Sequence, residues 1–390
     1  MLSVVRLISV LPAWVVLSLS GTAAANTVTS SLTPTALAVG IEHACVLLSG
    51  GQVECWGRND EGQVGDGTKV HATRPVRVPG LAGVRALSLG TTHSCALMAD
   101  GTVECWGSNS SGQLGNGSFE PHVGPAVVSG LSGVTQVSAG HQFSCALTEA
   151  GKVYCWGFNG YAQLGDRSKT NRNTPVEVRG LSRVAQIGAG GGHVCARGTE
   201  GIVHCWGRND WGQLGDGRMG KRAFRNRPGP VAGLLDASSI AVGFGQACGL
   251  FLDGAAVCWG GGDQGQLGNG RSENAKVPEE ARLLPKASQL AVSGGHLCAL
   301  SEGAVYCVGG NRRGQLGLGK LGGARRKPGK TPAVVGVKQV GTGGEFSCVL
   351  TRSSRVLCFG DNQFGQLGDG TTETRSKPGP VQFAGSAGSG

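Results

Sequence analysis

The chain has 390 residues, of which 71 are Gly, while charged residues make up 15% and aromatic residues 5%. So much Gly excludes a long helical protein, because Gly costs about 1 kcal/mol relative to Ala at each helical position. The low charge density excludes a disordered polyelectrolyte, and the 39% of hydrophobic residues suffice for a core. A turn-rich β-protein or repeat array remains, with a formal net charge of +10.

The N-terminus begins with an apolar run over residues 7–19, preceded by the single cation Arg6 and followed by three alanines that end at Ala25. This pattern predicts a signal peptide over residues 1–25, and hence a secreted, periplasmic or cell-surface protein. An N-terminal membrane anchor is the alternative, although the run is short for a span of about 20 residues. Cleavage removes Arg6, so the mature chain keeps a charge of +9 and has no predicted membrane span.

The cysteines reveal a repeat. There are 14 of them in seven pairs, and the first members of the pairs are separated by 50, 50, 50, 53, 50 and 50 residues. Two thiols per repeat without a CxxC motif do not complete a tetrahedral zinc site. The pairs are Cys45 and Cys55, Cys95 and Cys105, Cys145 and Cys155, Cys195 and Cys205, Cys248 and Cys258, Cys298 and Cys307, and Cys348 and Cys358.

One repeat contains four strand-like segments, at 134–139, 144–148, 152–156 and 175–178. Four short strands repeated seven times predict an all-β, seven-bladed propeller with four antiparallel strands per blade. The first strand carries small residues that suit the axis, and the fourth begins with Pro, which favours an outer edge. A parallel β-solenoid would need much shorter coils. The predicted domains are a linker (26–35), the propeller (36–384, with repeats starting near 36, 84, 134, 184, 237, 287 and 337) and a Gly/Ser tail (385–390).

The hairpin between the second and third strands explains the cysteine spacing. If Cys145 faces Cys155, the intervening loop has three residues and ends in Gly151, which suits a left-handed turn position. The sixth repeat is one residue shorter, so its loop shrinks to Glu302-Gly303, and the seventh carries Ser354 where Gly is expected. Opposed residues on antiparallel strands lie within disulfide range, so seven intra-blade disulfides are predicted. The alternative is that each Cys only fills a small buried slot.

A second signature follows each third strand. It reads CWGSNSSGQLGNG at 105–117 and CWGRNDWGQLGDG at 205–217, with related strings in the other repeats. This resembles the regulator of chromosome condensation repeat family over about residues 36–383, in particular an exported, cysteine-paired, bacterial-type member. The resemblance implies a seven-bladed propeller. Family members act as nucleotide exchange factors, bind chromatin or sense ultraviolet light, and an exported β-lactamase inhibitor has a similar propeller. The Trp and Leu of the string are expected to pack in the core.

No catalytic, metal-binding or cofactor-binding set is predicted. Histidines precede the first Cys by two residues in four repeats, and we interpret them as hydrogen-bonding side chains that brace loops. Aspartates after GQLG are interpreted as turn residues that bind local amides. Neither a nucleophile motif nor a phosphate-binding loop is present, so an enzyme is not expected. These residues are His43, His93, His193 and His296, and Asp66, Asp166, Asp216 and Asp369.

Binding is expected on the face formed by the loops that join strands one to two and three to four. Basic residues and aromatic residues that could contact a protein or an anionic polymer fall in the long segments of this face. They are Arg218, Lys221, Arg222, Arg225 and Arg227; Lys320, Arg325, Arg326, Lys327 and Lys330; and Tyr161, Trp211 and Phe364. The alternative interpretation is a set of solvated loops.

The predicted function is a monomeric, exported binding or scaffold propeller. An enzyme inhibitor or a glycan-directed enzyme is one alternative. A regulator that resembles a nucleotide exchange factor is the other, and it requires that the chain is not exported.

Overall fold

The computed structural model describes residues 32–384. The predicted signal peptide (1–25), residues 26–31 of the predicted linker and the predicted tail (385–390) lie outside the described residues. The described chain contains 28 strands, and no helix in it is long and apolar enough to cross a membrane.

The strands follow one another in seven groups of four. Blade 1 has β1 (Pro34–Val39), β2 (His43–Leu48), β3 (Val53–Gly57) and β4 (Ala72–Arg77), and blade 2 has β5 (Val84–Leu89), β6 (His93–Met98), β7 (Val103–Gly107) and β8 (His122–Val127). Blade 3 has β9 (Val134–Ala139), β10 (Phe143–Thr148), β11 (Val153–Gly157) and β12 (Arg172–Glu177), and blade 4 has β13 (Val184–Ala189), β14 (His193–Gly198), β15 (Val203–Gly207) and β16 (Arg225–Pro230). Blade 5 has β17 (Ser239–Val242), β18 (Gln246–Leu250), β19 (Ala256–Gly260) and β20 (Ala275–Glu280). Blade 6 has β21 (Gln289–Val292), β22 (His296–Ser301), β23 (Ala304–Gly309) and β24 (Arg325–Lys330), and blade 7 has β25 (Val337–Thr342), β26 (Phe346–Thr351), β27 (Val356–Gly360) and β28 (Arg375–Pro380).

Each blade is a four-stranded antiparallel sheet whose strands pair in chain order. The first strands of successive blades contact one another and line a central channel, and the fourth strands lie at the outer edge. The predicted all-β, seven-bladed propeller with four antiparallel strands per blade is confirmed.

The hairpin register agrees with the cysteine spacing. Cys145 is opposite Cys155, and the loop that follows ends at Gly151 with φ +70°. In blade 6 the turn is reduced to Glu302 and Gly303, both in the left-handed region. Ser354 adopts φ 59° in blade 7, where most other blades have Gly. The shortened loop therefore keeps the two cysteines of blade 6 opposed.

All seven cysteine pairs form disulfides, and the Cα atoms of each pair are 4.0–4.2 Å apart. Every one of these cysteines is fully buried, and none in the described chain is free. Each bridge therefore joins the two middle strands of one blade and crosses no blade boundary.

The blades are joined by contacts between the Trp-Gly strand and the GQLG turn of the preceding blade. The indole Nε1 of Trp106 donates to the carbonyl oxygen of Gln63 at 3.0 Å, and Trp56 closes the ring in the same way by donating to Gln366 at 2.9 Å. Leu114 of a GQLG turn is fully buried. The ring thus closes between blades 7 and 1 without exchanging a strand between them.

The predicted start of the fourth strand is wrong by three residues. In blade 3 the strand begins at Arg172 rather than at Pro175, so Pro lies inside it. The ladder pairs Arg172 with Gly157 and Val176 with Cys155, and the register shifts in between. Pro is tolerated there because an outer strand has one unpaired edge and because a bulge interrupts the ladder.

Candidate functional site on the upper face

The four recurrent histidines occupy seams between blades, and the predicted loop contact is present at His296, whose Nδ1 lies 3.2 Å from the hydroxyl of Ser293 in its own loop. His43 is fully buried, and its Nε2 lies 2.9 Å from the hydroxyl of Ser94 in the next blade. That hydroxyl donates to the carbonyl oxygen of Gln63 at 2.8 Å, so it accepts from His43 and fixes the tautomer with the proton on Nε2. His93 with Ser144 and His296 with Ser347 repeat this arrangement.

His193 breaks this pattern. The position that holds Ser opposite the other three histidines is Ala247 in blade 5, and neither ring nitrogen of His193 has a hydrogen-bond partner among the described residues. Complete burial, together with the charge of Arg208, lowers the pKa of His193 to about 3. His193 is therefore a neutral packing residue, and no group of metal-ligating side chains occurs within residues 32–384.

The upper face is the face formed by the loops that join the first to the second and the third to the fourth strand of each blade. Its centre is the mouth of the central channel, a cavity of about 260 Å³ lined largely by small and aliphatic residues of the first strands. His141 is the one titratable side chain that lines this cavity. Burial lowers the pKa of His141, and the nearby charge of Arg208 acts in the same direction. The channel therefore offers no acid–base pair.

Beside this mouth, Tyr161, Arg208, Trp211 and Phe244 form a stack that we name the aromatic cluster. The guanidinium carbon of Arg208 lies 4.8 Å from the ring centre of Tyr161 and 4.5 Å from that of Trp211. Trp211 in turn packs on Phe244 at 6.5 Å. Tyr161 is 37% exposed, and the other three side chains are partly exposed. Arginine between aromatic rings is typical of protein-binding hot spots.

Local sequence positions this cluster. Arg208 follows the Trp-Gly end of β15, and Asp210 holds its Nε at 2.7 Å. Trp211 can lie flat because residue 245, in the first loop of blade 5, is Gly. A Cβ at Gly245 would come within 2.5 Å of the Trp211 ring. Tyr161 and Trp211 occupy equivalent positions in neighbouring repeats, so the sequence-predicted aromatics of blades 3 and 4 are brought together by the fold.

The third aromatic residue of the prediction does not join them. Phe364 lies in the seam between blades 7 and 1, where its ring packs against Arg58 at 4.9 Å and His71 at 5.1 Å. The spacing along the repeat correctly predicts that Phe364 lies on the upper face. However, Phe364 belongs to blade 7, whereas the aromatic cluster is formed by blades 3 to 5.

The predicted cations of blade 4 divide into paired and unpaired groups. Arg218 and Arg225 both bind the carboxylate of Asp216, at 2.7 and 3.0 Å. Burial alone would raise the pKa of Asp216, but the hydrogen bonds from Arg218 and the charge of Arg225 hold it below its usual value. Lys221 and Arg222 are exposed and form no ion pair within the described chain. They line an open groove with Lys276 of blade 5, a residue that the sequence alone did not indicate.

Several of the predicted loop cations belong to outer strands. Arg225 and Arg227 start β16, and the four predicted cations from Arg325 to Lys330 all lie on β24. They therefore occupy the rim of the propeller below the upper face, because the fourth strand begins three residues earlier than expected. Lys320 remains in the upper loop of blade 6.

Carboxylates on the upper face are held by arginine. Glu345 and Asp361 both lie near Nε of Arg313, at 3.6 and 3.7 Å, in a groove at blades 6 and 7. Both carboxylates therefore face the same guanidinium.

Sequence reasoning also missed the asparagine of the WGxN string. Asn209 accepts from the amide of Leu214 at 3.0 Å and donates to Asp216 at 3.2 Å, which ties the loop to its own turn. Asn59, Asn109, Asn159 and Asn362 make equivalent contacts with their own turns. The recurrence of Asn in register was the available signal. These contacts give the long upper loops a fixed base.

Comparisons with known proteins agree with this architecture. A model of the RCC1-like domain matches residues 20–299, and models of the regulator of chromosome condensation (RCC1) repeat match residues 302–350, 337–366 and 353–388. The human E3 ubiquitin-protein ligase HERC2 is 32% identical over 145 residues, which cover 36% of this chain and 3% of HERC2. The Arabidopsis thaliana ultraviolet-B receptor UVR8 is 30% identical over 140 residues, which cover 34% of this chain and 31% of the receptor.

Solved structures share the fold at low sequence identity. Human WBSCR16 superposes with a TM-score of 0.75 at 22% identity, covering 85% of this chain and 94% of that one. Yeast RCC1 (Prp20), crystallised with Kap60, gives 0.75 at 23%, covering 91% and 85%. The ectodomain of the Physcomitrella patens receptor kinase CR4 gives 0.53 at 20%, covering 84% and 74%. With a family model that spans most of its length and seven blades of the matching fold, the chain belongs to the RCC1-like domain family.

Proposed function

We propose that this chain is an exported binding propeller that engages a macromolecular partner through the upper face, with the aromatic cluster as its anchor. The observation that carries the proposal is the stack of Tyr161, Arg208 and Trp211 beside the channel mouth. Trp, Tyr and Arg dominate the energetics of protein interfaces because they bury large areas at small entropic cost. The unpaired Lys221 and Arg222 nearby favour an acidic partner.

Export is supported by the seven disulfides and by the predicted signal peptide over residues 1–25. Disulfides persist in oxidising compartments and are rare in reducing ones. A related propeller fold occurs in the ectodomain of the receptor kinase CR4. Similarity to an exported bacterial-type member stays a prediction. An exchange-factor-like activity inside the cell is the less supported alternative. Seven buried disulfides would have to form there against the reducing redox potential of the compartment.

The enzyme alternative has weaker support. The lining of the channel mouth includes no carboxylate, and Glu345 and Asp361 of the upper-face groove both contact Arg313. An inhibitor is compatible with the proposal, because inhibition of an enzyme by a folded protein is itself a binding event through one face.

Quantitative capture tests the proposal. The mature protein and its variants are immobilised, exposed to the extracellular or periplasmic fraction of the source cells, and the partner enriched by the wild type is purified for binary titration. Trp211→Ala should weaken this binding about 30-fold, the loss typical of a hot-spot residue of about 2 kcal/mol. Phe364→Ala is the matched control, because it removes an aromatic ring stacked on arginine at the same repeat position in blade 7.

The control should change the dissociation constant less than twofold. Equal losses for Trp211→Ala and Phe364→Ala would contradict the proposed location of the interface. Loss of binding only with Leu252→Ala would place the interface on the opposite face, where Leu252 is 94% exposed in a hairpin loop.

A further inference from the structure

Positive charge is concentrated in blade 6. Residues 303–344 contain eight Lys and Arg and no Asp or Glu. This run includes β23, the upper loop and the outer strand β24 of blade 6, and it extends through β25 of blade 7. The described chain outside this run is nearly balanced by comparison. Because acidic residues are absent locally, the charge of this surface is not neutralised along the chain.

Few of these cations are used by the fold. Lys320, Arg326, Lys327 and Lys330 are exposed, and none of them lies within 4.0 Å of a carboxylate in the described chain. Arg313 is the one member of the run that contacts acids, at 3.6 and 3.7 Å. The four exposed cations therefore remain available to a ligand.

Arg325 shows the same feature in a more buried position. At the equivalent position of blades 3, 4 and 7, an arginine binds the turn aspartate at 2.8–3.0 Å, as Arg375 binds Asp369. In blade 6 the turn residue is Leu318, so this acidic partner is missing. The Nε of Arg325 is buried without a hydrogen-bond partner among residues 32–384, as is the Nε of Arg375, so the missing carboxylate is what distinguishes Arg325. A guanidinium without a carboxylate partner is suited to receive an anionic oxygen.

The fold extends this surface to the neighbouring blade. The amide of Gly319 donates to the carbonyl oxygen of Ser376 on β28 at 2.8 Å, and a Cβ at Gly319 would lie 3.1 Å from Cε of Lys377. Lys320 and Lys377 therefore adjoin. On β24, Arg326 and Lys330 are both exposed, and the register between β23 and β24 shifts between them. The cations therefore extend along the outer strand of blade 6 and towards Lys377 of blade 7.

Protection of an exposed strand edge does not account for so many charges. Lysine on edge strands discourages edge-to-edge pairing. However, the outer strand β8 has no Lys or Arg at all, whereas β24 has four. The surplus on blade 6 therefore requires another explanation.

We propose that the rim of blade 6, formed by Lys320, Arg325, Arg326, Lys327 and Lys330 with Lys377 of blade 7, binds a linear anionic polysaccharide. Lys and Arg in mixture match sulfate and phosphate groups. A protein partner would need a cluster of apolar or aromatic anchors, and a single-stranded nucleic acid would need a row of stacking platforms. Between residues 303 and 344 the one aromatic side chain is Tyr306, half-buried on β23 opposite Lys330, and the one large apolar side chain exposed in the upper loop is Leu321. This surface is separate from the aromatic cluster, so either proposal can fail alone.

The test uses a fluorescent heparin oligosaccharide as the probe, with desulfated heparin and a single-stranded oligonucleotide of equal charge as competitors. The variant Lys320→Gln, Arg326→Gln, Lys327→Gln and Lys330→Gln removes four charges of the rim. The matched control Lys69→Gln, Arg74→Gln, Arg77→Gln and Arg179→Gln removes four exposed charges of blades 1 to 3. Unfolding midpoints of both variants verify that the propeller is intact.

The wild type should bind heparin at 0.15 M salt with an affinity that falls as salt rises, because bound cations release counterions. The rim variant should weaken binding at least about tenfold with a shallower salt dependence, and the control less than about twofold. Equal losses in the two variants, or oligonucleotide binding as tight as heparin binding, would overturn the proposal.

Discussion

Blades 1 to 3 and blades 4 to 7 differ in charge although they share one fold. Residues 32–183 contain 11 basic and 11 acidic residues, whereas residues 184–384 contain 23 basic and 14 acidic ones, a net charge of +9. The net positive charge of the described chain therefore lies in the last four blades, and eight of its nine charges come from residues 303–344. A charge distributed for solubility alone would have no reason to be confined in this way.

The seams between blades divide the molecule differently. His43, His93 and His296 each bind a Ser of the following blade. In blades 4 and 5 the equivalent seams lack that Ser, and His193 and Gln246 have no hydrogen-bond partners in the described chain. Blades 4 and 5, which contribute to the aromatic cluster, thus depart from the His–Ser arrangement, whereas blade 6 keeps it. Departures from local consistency are expected where a protein has a function to perform.

Removing one disulfide should have the largest effect on stability, and the same effect in both regions. Cys145→Ala with Cys155→Ala in blade 3, or Cys298→Ala with Cys307→Ala in blade 6, should lower the free energy of unfolding by about 2–3 kcal/mol each. The loops that the bridges close are equally short, with sequence separations of 10 and 9. Chemical denaturation measures both. A loss in one blade that exceeds the other by more than about 2 kcal/mol would mean that the two regions differ in their dependence on disulfides.

The buried histidines should make the propeller sensitive to acid. Burial lowers the pKa of His43 and His193 to about 3, while the unfolded chain takes up these protons near pH 6.5. Stability is therefore complete above pH 6.5 and falls as the pH decreases towards 3, by about 1.4 kcal/mol per pH unit for each histidine.

The variant His193→Phe tests this dependence. It should reduce the slope of stability against pH between pH 6 and 4 by about 1.4 kcal/mol per unit. It should not destabilise the protein at pH 7, because Phe already occurs at the equivalent position of blade 7. There Phe346 is buried in the seam between blades 7 and 1, where Ala44 takes the place of Ala247. His43→Phe, the control, should reduce the slope equally but cost about 1 kcal/mol at pH 7, since Ser94 loses its partner. An unchanged slope in both variants would show that these histidines do not titrate as proposed.

A single hydroxyl should restore the missing seam contact. Ala247→Ser places a hydroxyl where Ser94 and Ser144 lie in blades 2 and 3, so it can accept from His193 and donate to Gln213. We expect a gain of about 1 kcal/mol in the free energy of unfolding, the typical value of one buried hydrogen bond. Ser144→Ala, the reverse change in the regular region, should destabilise by a similar amount. Destabilisation by Ala247→Ser would indicate that this seam cannot accommodate the hydroxyl.

The smallest expected effect concerns the hairpin of blade 7. Ser354 has φ 59°, a conformation that Gly adopts without strain, so Ser354→Gly should stabilise by about 0.5–1 kcal/mol. Gly151→Ser, which makes the opposite change at the equivalent position with φ +70°, should destabilise by a comparable amount. Thermal unfolding resolves both, and the same sign for the two variants would contradict the conformational explanation.

The sequence was sufficient for the fold and for much of the candidate site. Spacing alone gave the seven blades and the register of Cys145 with Cys155, because the pleat makes opposed positions predictable. It did not give the cluster around Arg208, because that stack joins three blades and the distance between repeats around the ring is not encoded in one repeat. The sequence also predicts loops at Arg225 and Arg325, because Pro favours the first position of an outer strand. Both arginines instead begin outer strands.

The proposed export and the disulfides would together limit the partners that the upper face can meet, and one mass measurement tests both. The protein is recovered from its source without reductant, alkylated, and its intact mass is compared with that of a reduced and alkylated sample. A chain that starts after Ala25 and takes up alkyl groups at its 14 cysteines only after reduction is the expected result. A chain that retains residues 1–25 and is alkylated at all 14 cysteines before reduction would contradict an exported, disulfide-bonded propeller.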